Sequence, residues 1–234
     1  MNAIPLVGGL GGGTALLAWA VRGRSAAVFG RSVWRGNPGR RALALTFDDG
    51  PSEGTPAILD ILAQYRVPAT FFQVGANVDR LPEVARAVAA AGHSIGNHSY
   101  AHPLFCFRSA AFMEDDLRRA QQTIRARTGV EPEWFRAPYG VRWFGMGAVQ
   151  QRLGLTGVMW SAIGRDWTLN SAQVSARLER GAKNGAILCL HDGRELQAHP
   201  DITATVEAVR RLVPTLLERG YQFETINRLL CPTN

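Results

Sequence analysis

The sequence predicts an α/β fold: a parallel sheet covered by helices and drawn into a distorted (β/α) barrel. Two observations carry this prediction. Short apolar runs of strand type alternate along the chain with amphipathic stretches of helical period. In addition, Asp48, Asp49, Arg136, Asp166 and His191 each stand at or just past the C-terminal end of such a run, the edge where parallel α/β folds assemble their sites. An open doubly wound sheet fits the alternation too, but the convergence of separate motifs on one edge favours the barrel.

Residues 41–47 read as a buried strand ended by the turn signal Asp48-Asp49-Gly50-Pro51. Thr55-Pro56 opens a helix, with Thr55 as N-cap and Pro56 at the first helical position. Ile58, Ile61, Leu62 and Tyr65 share one face of it. Residues 69–74 form a second strand, 82–91 a helix closed by Gly92, and 93–97 a short third strand. A longer helix over 111–127 presents Met113, Leu117, Ala120 and Ile124 on one face and stops at Gly129. Strand candidates at 134–136, 155–160, 186–191 and 221–225 follow, separated by helices over 141–153, 172–183 and 201–219.

Three regions are expected: a hydrophobic segment over 1–21, a basic linker over 22–40 and a globular domain over 41–230. Residues 3–21 carry no charge, and Arg22, Arg24, Arg31, Arg35, Arg40 and Arg41 follow directly. The run has the length of a membrane span, weakened by glycines and Pro5. As a secretory signal it is atypical, with no basic residue before it and no small-x-small cleavage site after it. We therefore expect membrane or cell-envelope association through the N-terminus, with the cytoplasmic side allowed by the trailing arginines. A glycine-rich tail lying against the domain is the plain alternative. The net charge of +7 belongs to this segment: beyond it, the remaining 20 of the 26 basic residues face all 19 acidic ones. A basic surface for nucleic acid is thereby disfavoured. Cys106, Cys189 and Cys231 are too few and scattered for a disulfide framework or a zinc ribbon.

The chemistry-bearing segments are individually weak and jointly informative. His98 and His102 stand four apart, a spacing that on a helical turn puts both imidazoles on one face within reach of one metal ion. Asp48 and Asp49 offer two carboxylates, one to hold a metal and one to take a proton, although Asp-Asp-Gly also serves plain turns. His191 closes an apolar strand and could protonate a leaving amine, or be a core histidine with a satisfied hydrogen bond. Strand alternation puts Cys189 on its side. Arg136 precedes the rigid Ala-Pro-Tyr139 turn and could hold an aspartate ionised, and Asp166-Trp167 pairs a carboxylate with a flat aromatic wall.

Together, Thr-Phe-Asp48-Asp49-Gly, His98-Ser-Tyr-Ala-His102, Arg136-Ala-Pro-Tyr139, Asp166-Trp167 and Leu-Cys-Leu-His191-Asp resemble, in order, the motifs of the polysaccharide deacetylases. These are the NodB-homology proteins of carbohydrate esterase family 4, and the resemblance spans about residues 41–226. It implies a distorted (β/α) barrel and a divalent metal, usually zinc and sometimes cobalt or another ion, on Asp49, His98 and His102. It also implies Asp48 as general base oriented by Arg136, and His191 as general acid tuned by Asp166. The Tyr139 N–H would help stabilise an oxyanion, and Trp167 would wall the acetyl pocket. The implied substrate is an N-acetylated amino sugar in a polysaccharide, an oligosaccharide or a lipid-linked glycan. An O-acetyl esterase or cyclic-amide hydrolase on the same site, and a glycan-binding protein without turnover, remain as alternatives. Cys189 stands where many relatives carry an aliphatic residue.

Overall fold

The strand nearest the centre, β2 (Ala42–Asp48), is buried along all seven residues in the computed structural model, which describes residues 8–230, with side chains from residue 13 on. Its neighbours in the chain are α1 (Gly8–Arg22) and β1 (Ser32–Val33) before it, then α2 (Thr55–Gln64), β3 (Thr70–Gln73), α3 (Gly75–Arg80), α4 (Pro82–Ala90) and β4 (Ser94–Asn97). Next come α5 (Ala110–Thr128), β5 (Trp134–Phe135), a 3₁₀ turn (Pro138–Gly140), α6 (Met146–Leu153), β6 (Thr156–Val158) and β7 (Ala162–Ile163). The chain then runs through α7 (Ser171–Gly181), β8 (Ala186–His191), α8 (Thr203–Glu218), β9 (Gln222–Phe223) and α9 (Ile226–Leu230).

Every strand pair is parallel, in the order β1-β6-β5-β4-β3-β2-β8-β7, with β9 also beside β2. The ends of this sheet approach each other: Arg35 makes an antiparallel bridge to Ala186, and Ser161 donates its N–H to the Ile187 carbonyl. This is the distorted barrel that the sequence predicts. Alternation along β2 sends Leu43, Leu45 and Phe47 outward into the main core beneath α2, α7 and α8, while Ala42 and Ala44 line the narrow interior with Ile187, Phe72 and Ile226. Thr46 and Asp48 share that inner face. Register pairs Thr46 with Cys189 and Asp48 with His191, so the two strands deliver a carboxylate and an imidazole side by side at one rim.

Several sequence expectations change. Thr55 is not the N-cap of α2, which is Gly54. The Thr55 hydroxyl instead accepts from the Ser52 N–H and donates to the Asp192 carboxylate, so it serves the loop after β2. The helix expected from 141 starts at Met146, behind the left-handed Gly145. Residues 22–40 are more than a linker: β1 joins the sheet, and Ala26 and Phe29 are buried. Elements too short for a periodicity, β1, β7, α3 and α9, have no counterpart in the sequence reading. Residues 8–22 are helical, with Ala20 packed into a second core beside Phe29, Phe105 and Met146. No helix among the described residues is long and apolar enough to cross a membrane. Residues 1–7 of the expected hydrophobic segment lie outside the described residues, as does Cys231.

Candidate metal centre and catalytic cleft

Three side chains meet just past the ends of β2 and β4. Asp49 Oδ1 lies 3.3 Å from His98 Nε2 and 3.1 Å from His102 Nε2, and all three residues are buried. The histidines are not on a helix. His98 follows β4 directly, donating its N–H to the Gln73 carbonyl, and His102 is brought back by a loop in which Ser99 and His102 take positive φ of 69° and 51°. Asp49 itself has φ 72°. Such conformations cost energy for residues with a side chain and concentrate at functional sites. The loop is fixed from outside: Asp116 accepts the N–H groups of Tyr100 and Ala101, and Ser99 Oγ accepts that of His102.

This trio fits a metal. The Arg136 carbonyl, 2.7 Å from His98 Nδ1, can only accept, so Nδ1 donates there and Nε2 is the ring atom that faces Asp49. Asp49 Oδ1 is a buried oxygen with no hydrogen-bond partner, while Oδ2 accepts the Glu195 N–H. Burial alone would raise the Asp49 carboxyl. The contacts with His102 and His98 outweigh it and hold the carboxyl well below the usual range, as an anion. One carboxylate and two imidazoles leave room for the open position that a catalytic site needs. A second trio of potential ligands, Asp48, Cys189 and His191, is less suited. Burial first, and then the Asp48 charge, push the Cys189 thiol well above its ordinary range, and a thiol that stays protonated is a poor ligand.

Asp48 is held by different partners. Arg136 Nη1 donates to its Oδ1 at 2.6 Å, and the Cys189 thiol donates to its Oδ2 at 3.4 Å. Arg136 is wholly buried just past β5. Nε donates to the Val158 carbonyl, Nη1 also to Thr46 Oγ1, Nη2 to the Met159 carbonyl, and the guanidinium lies 4.2 Å over the Phe72 ring. So many contacts fix the guanidinium, and through it the direction in which Asp48 points.

At the other side of the cleft, His191 Nδ1 donates to Asp166 Oδ1 at 2.9 Å, leaving Nε2 for the cleft. Asp166 Oδ2 also accepts the His191 N–H and the Thr205 hydroxyl. Burial would lower His191, but Asp166 in contact, with Asp49 and Asp48 nearby, raises it to about 9, so it is cationic at neutral pH. Trp167, half exposed, sets its ring edge-on to His191 at 5.0 Å. Tyr139, at φ 58°, packs its ring on His102 and donates its hydroxyl to Glu195.

All nine residues predicted for the site thus come together around one opening. Asp48, Asp49, His98, His102, Tyr139, Trp167 and His191 line a cleft of about 610 Å³, with Arg136 and Asp166 behind it. A larger groove of about 830 Å³, between residues 27–31 and α6, has no carboxylate, histidine or cysteine in its lining. The sequence reading missed Glu195, Arg194, Thr205, Asn77 and Asp192. Asn77 bridges the Asp49 and Glu195 carbonyls, and Arg194 donates to the Asp166 carbonyl. Asp192, raised to about 7 chiefly by burial, fills the space beside Gly50, where a Cβ would stand 2.1 Å from its carboxylate. Only the glycine after Asp49 had a signal for that contact, and no motif announced the others.

Known proteins agree with this geometry. The model of the family described as "Polysaccharide deacetylase" matches residues 35–158. A chitooligosaccharide deacetylase of Bradyrhizobium sp. is 37% identical over 200 residues, 82% of this chain and 91% of the relative. A peptidoglycan N-acetylglucosamine deacetylase crystallised with a substituted benzamide superposes with a TM-score of 0.80 at 27% identity, covering 85% of this chain and 92% of that one. A Bacillus anthracis protein described as a pseudoenzyme of carbohydrate esterase family 4 superposes with a TM-score of 0.78 at 28% identity, covering 86% and 69%. The fold alone therefore does not decide activity, and the residues of the cleft must. On these residues and these matches, the chain belongs to the polysaccharide deacetylase family, whose relatives are hydrolases of C–N bonds other than peptide bonds.

Proposed function

We propose that this chain hydrolyses the acetamide of N-acetylated amino-sugar units in a polysaccharide, an oligosaccharide or a lipid-linked glycan. One observation carries the reading: the Asp49–His98–His102 trio, the Arg136-held Asp48 and the Asp166-held His191 share one cleft walled by Trp160, Trp167 and Tyr139. The donor set of one carboxylate oxygen and two imidazole nitrogens suits zinc, and cobalt or another divalent ion of similar preference. A cation bound there would polarise the amide carbonyl and lower the pKa of a water molecule.

The chain's own groups divide the proton work. Asp48, paired with Arg136, accepts the proton of the attacking water, while its neighbour Asp49 is committed to the two histidines. His191 holds a proton on Nε2 and delivers it to the departing amine. The Tyr139 N–H, placed by a left-handed backbone at the cleft, supports the oxyanion, and Trp167 closes the acetyl side. Acetate release from N-acetylated against O-acetylated oligosaccharides, with products identified by mass, tests this. Release from the ester alone, or binding without release, would replace the proposal with the corresponding alternative.

We also propose membrane or envelope association through the N-terminal segment. Leu16, Leu17 and Trp19 of α1 are exposed, an apolar surface with an interfacial aromatic suited to a membrane. Flotation with anionic vesicles, lost on removing residues 1–21, is the expected result. Equal flotation without them would sink the idea.

A further inference from the structure

Arg22, the last residue of α1, lines the catalytic cleft together with Asp48, Asp49, His98, His102 and Trp160. Among the described residues it is the one residue before β2 to do so, and it is there because the N-terminal segment is bolted down on both sides of it. Ala20 is buried in the second core. The buried Arg142 donates three times: its N–H to the Val21 carbonyl, and its guanidinium to the Gly23 and Ala26 carbonyls, the latter two at 2.5 Å. Arg24 donates to the Ser161 carbonyl across the mouth of the barrel.

The other charged groups of the cleft already have partners. Arg194 serves Asp166, Glu195 takes the Tyr139 hydroxyl, and Asp49 faces two histidines. Among the described residues Arg22 makes no ion pair or side-chain hydrogen bond, and its side chain is exposed where it borders the cleft. With its backbone anchored on both sides at the wall of a substrate cleft and its guanidinium donors unspent, Arg22 is placed to receive a planar or tetrahedral anion.

We infer that Arg22 is a specificity-determining residue that binds an anionic group, phosphate or carboxylate, carried by the sugar that is deacetylated or by its immediate neighbour. This rests on the deacetylase reading for what occupies the cleft, while the binding measurement below is independent of turnover. The full chain is titrated calorimetrically with N-acetylglucosamine 1-phosphate, N-acetylmuramic acid and neutral N-acetylglucosamine. Wild type should bind at least one anionic sugar more tightly than the neutral one, and which one identifies the source of the charge. That ratio should fall about tenfold or more in Arg22→Gln, the scale of a lost charge-assisted hydrogen bond, and be largely retained in Arg22→Lys. An unchanged ratio in Arg22→Gln, or no preference for either anion in wild type, overturns the inference. So does a loss of thermal stability alone, which would leave Arg22 as a helix C-terminal charge. Acetate release measured in parallel separates the two readings: release with an unchanged ratio removes the Arg22 role and keeps the deacetylase.

Discussion

Replacing Arg136 by Met probes the buried Arg136–Asp48 ion pair of the cleft. The substitution keeps an unbranched apolar stem over Phe72 and removes the donors to Asp48 Oδ1, Thr46 Oγ1 and the Val158 and Met159 carbonyls. Asp48 is 3% exposed, so its carboxylate would be left charged without a cation, or protonated and useless as a base. Breaking a buried pair in this way costs about 3–5 kcal/mol, a large part of the roughly 5–15 kcal/mol that stabilises a domain. For a chain of this length each kcal/mol moves the melting temperature by about 2–4 °C, so a fall of about 6–20 °C is expected. Calorimetric melts in chelator measure it without metal binding masking the loss. The double variant Asp48→Asn/Arg136→Met should lose less than the sum of the singles, by about 1–3 kcal/mol, because no lone charge remains buried. Additivity within about 0.5 kcal/mol, or an Arg136→Met protein that melts like wild type and turns over normally, would refute the assignment of Arg136 to Asp48.

Three further outcomes are expected. Asp48→Asn should keep its metal by elemental analysis and lose about 10²–10⁴-fold in kcat, whereas His98→Ala should lose both; metal loss in Asp48→Asn would overturn the separate tasks of the two aspartates. His191 must be protonated to act, and its acidity near 9 depends on the Asp166 charge, so Asp166→Asn should move the alkaline limb of the pH–rate profile to lower pH, and an unmoved limb would remove Asp166 from the proton transfer. Cys189→Val deletes the thiol contact to Asp48 Oδ2 and nearly preserves volume; kcat should fall less than tenfold with the melting temperature nearly unchanged, and a loss as large as that of Asp48→Asn would mean that the thiol does more than position the base.

The alternation of strands and helices, the motif order and the nine residues that meet at the cleft were legible in the sequence, because each sits within a contiguous segment whose residue types suit the proposed chemistry. β2 shows the reason: seven buried positions in a row read as a strand, and the aspartates that end it read as a rim. Three things needed the tertiary structure. The joining of His98 and His102 depends on left-handed turns at Ser99 and His102, held by Asp116 sixteen residues away from Tyr100, rather than on helical spacing. The supports Thr205, Asn77 and Glu195 come from other elements, so no local pattern marks them. Most of all, residues 22–40 looked like a basic linker, since two-residue strands have no period to detect and charge alone suggests solvent. Packing of Ala20, Ala26 and Phe29 decides otherwise, and it carries Arg22 to the cleft. Sequence determined which atoms can do the chemistry; only long-range packing determined which of them face one another.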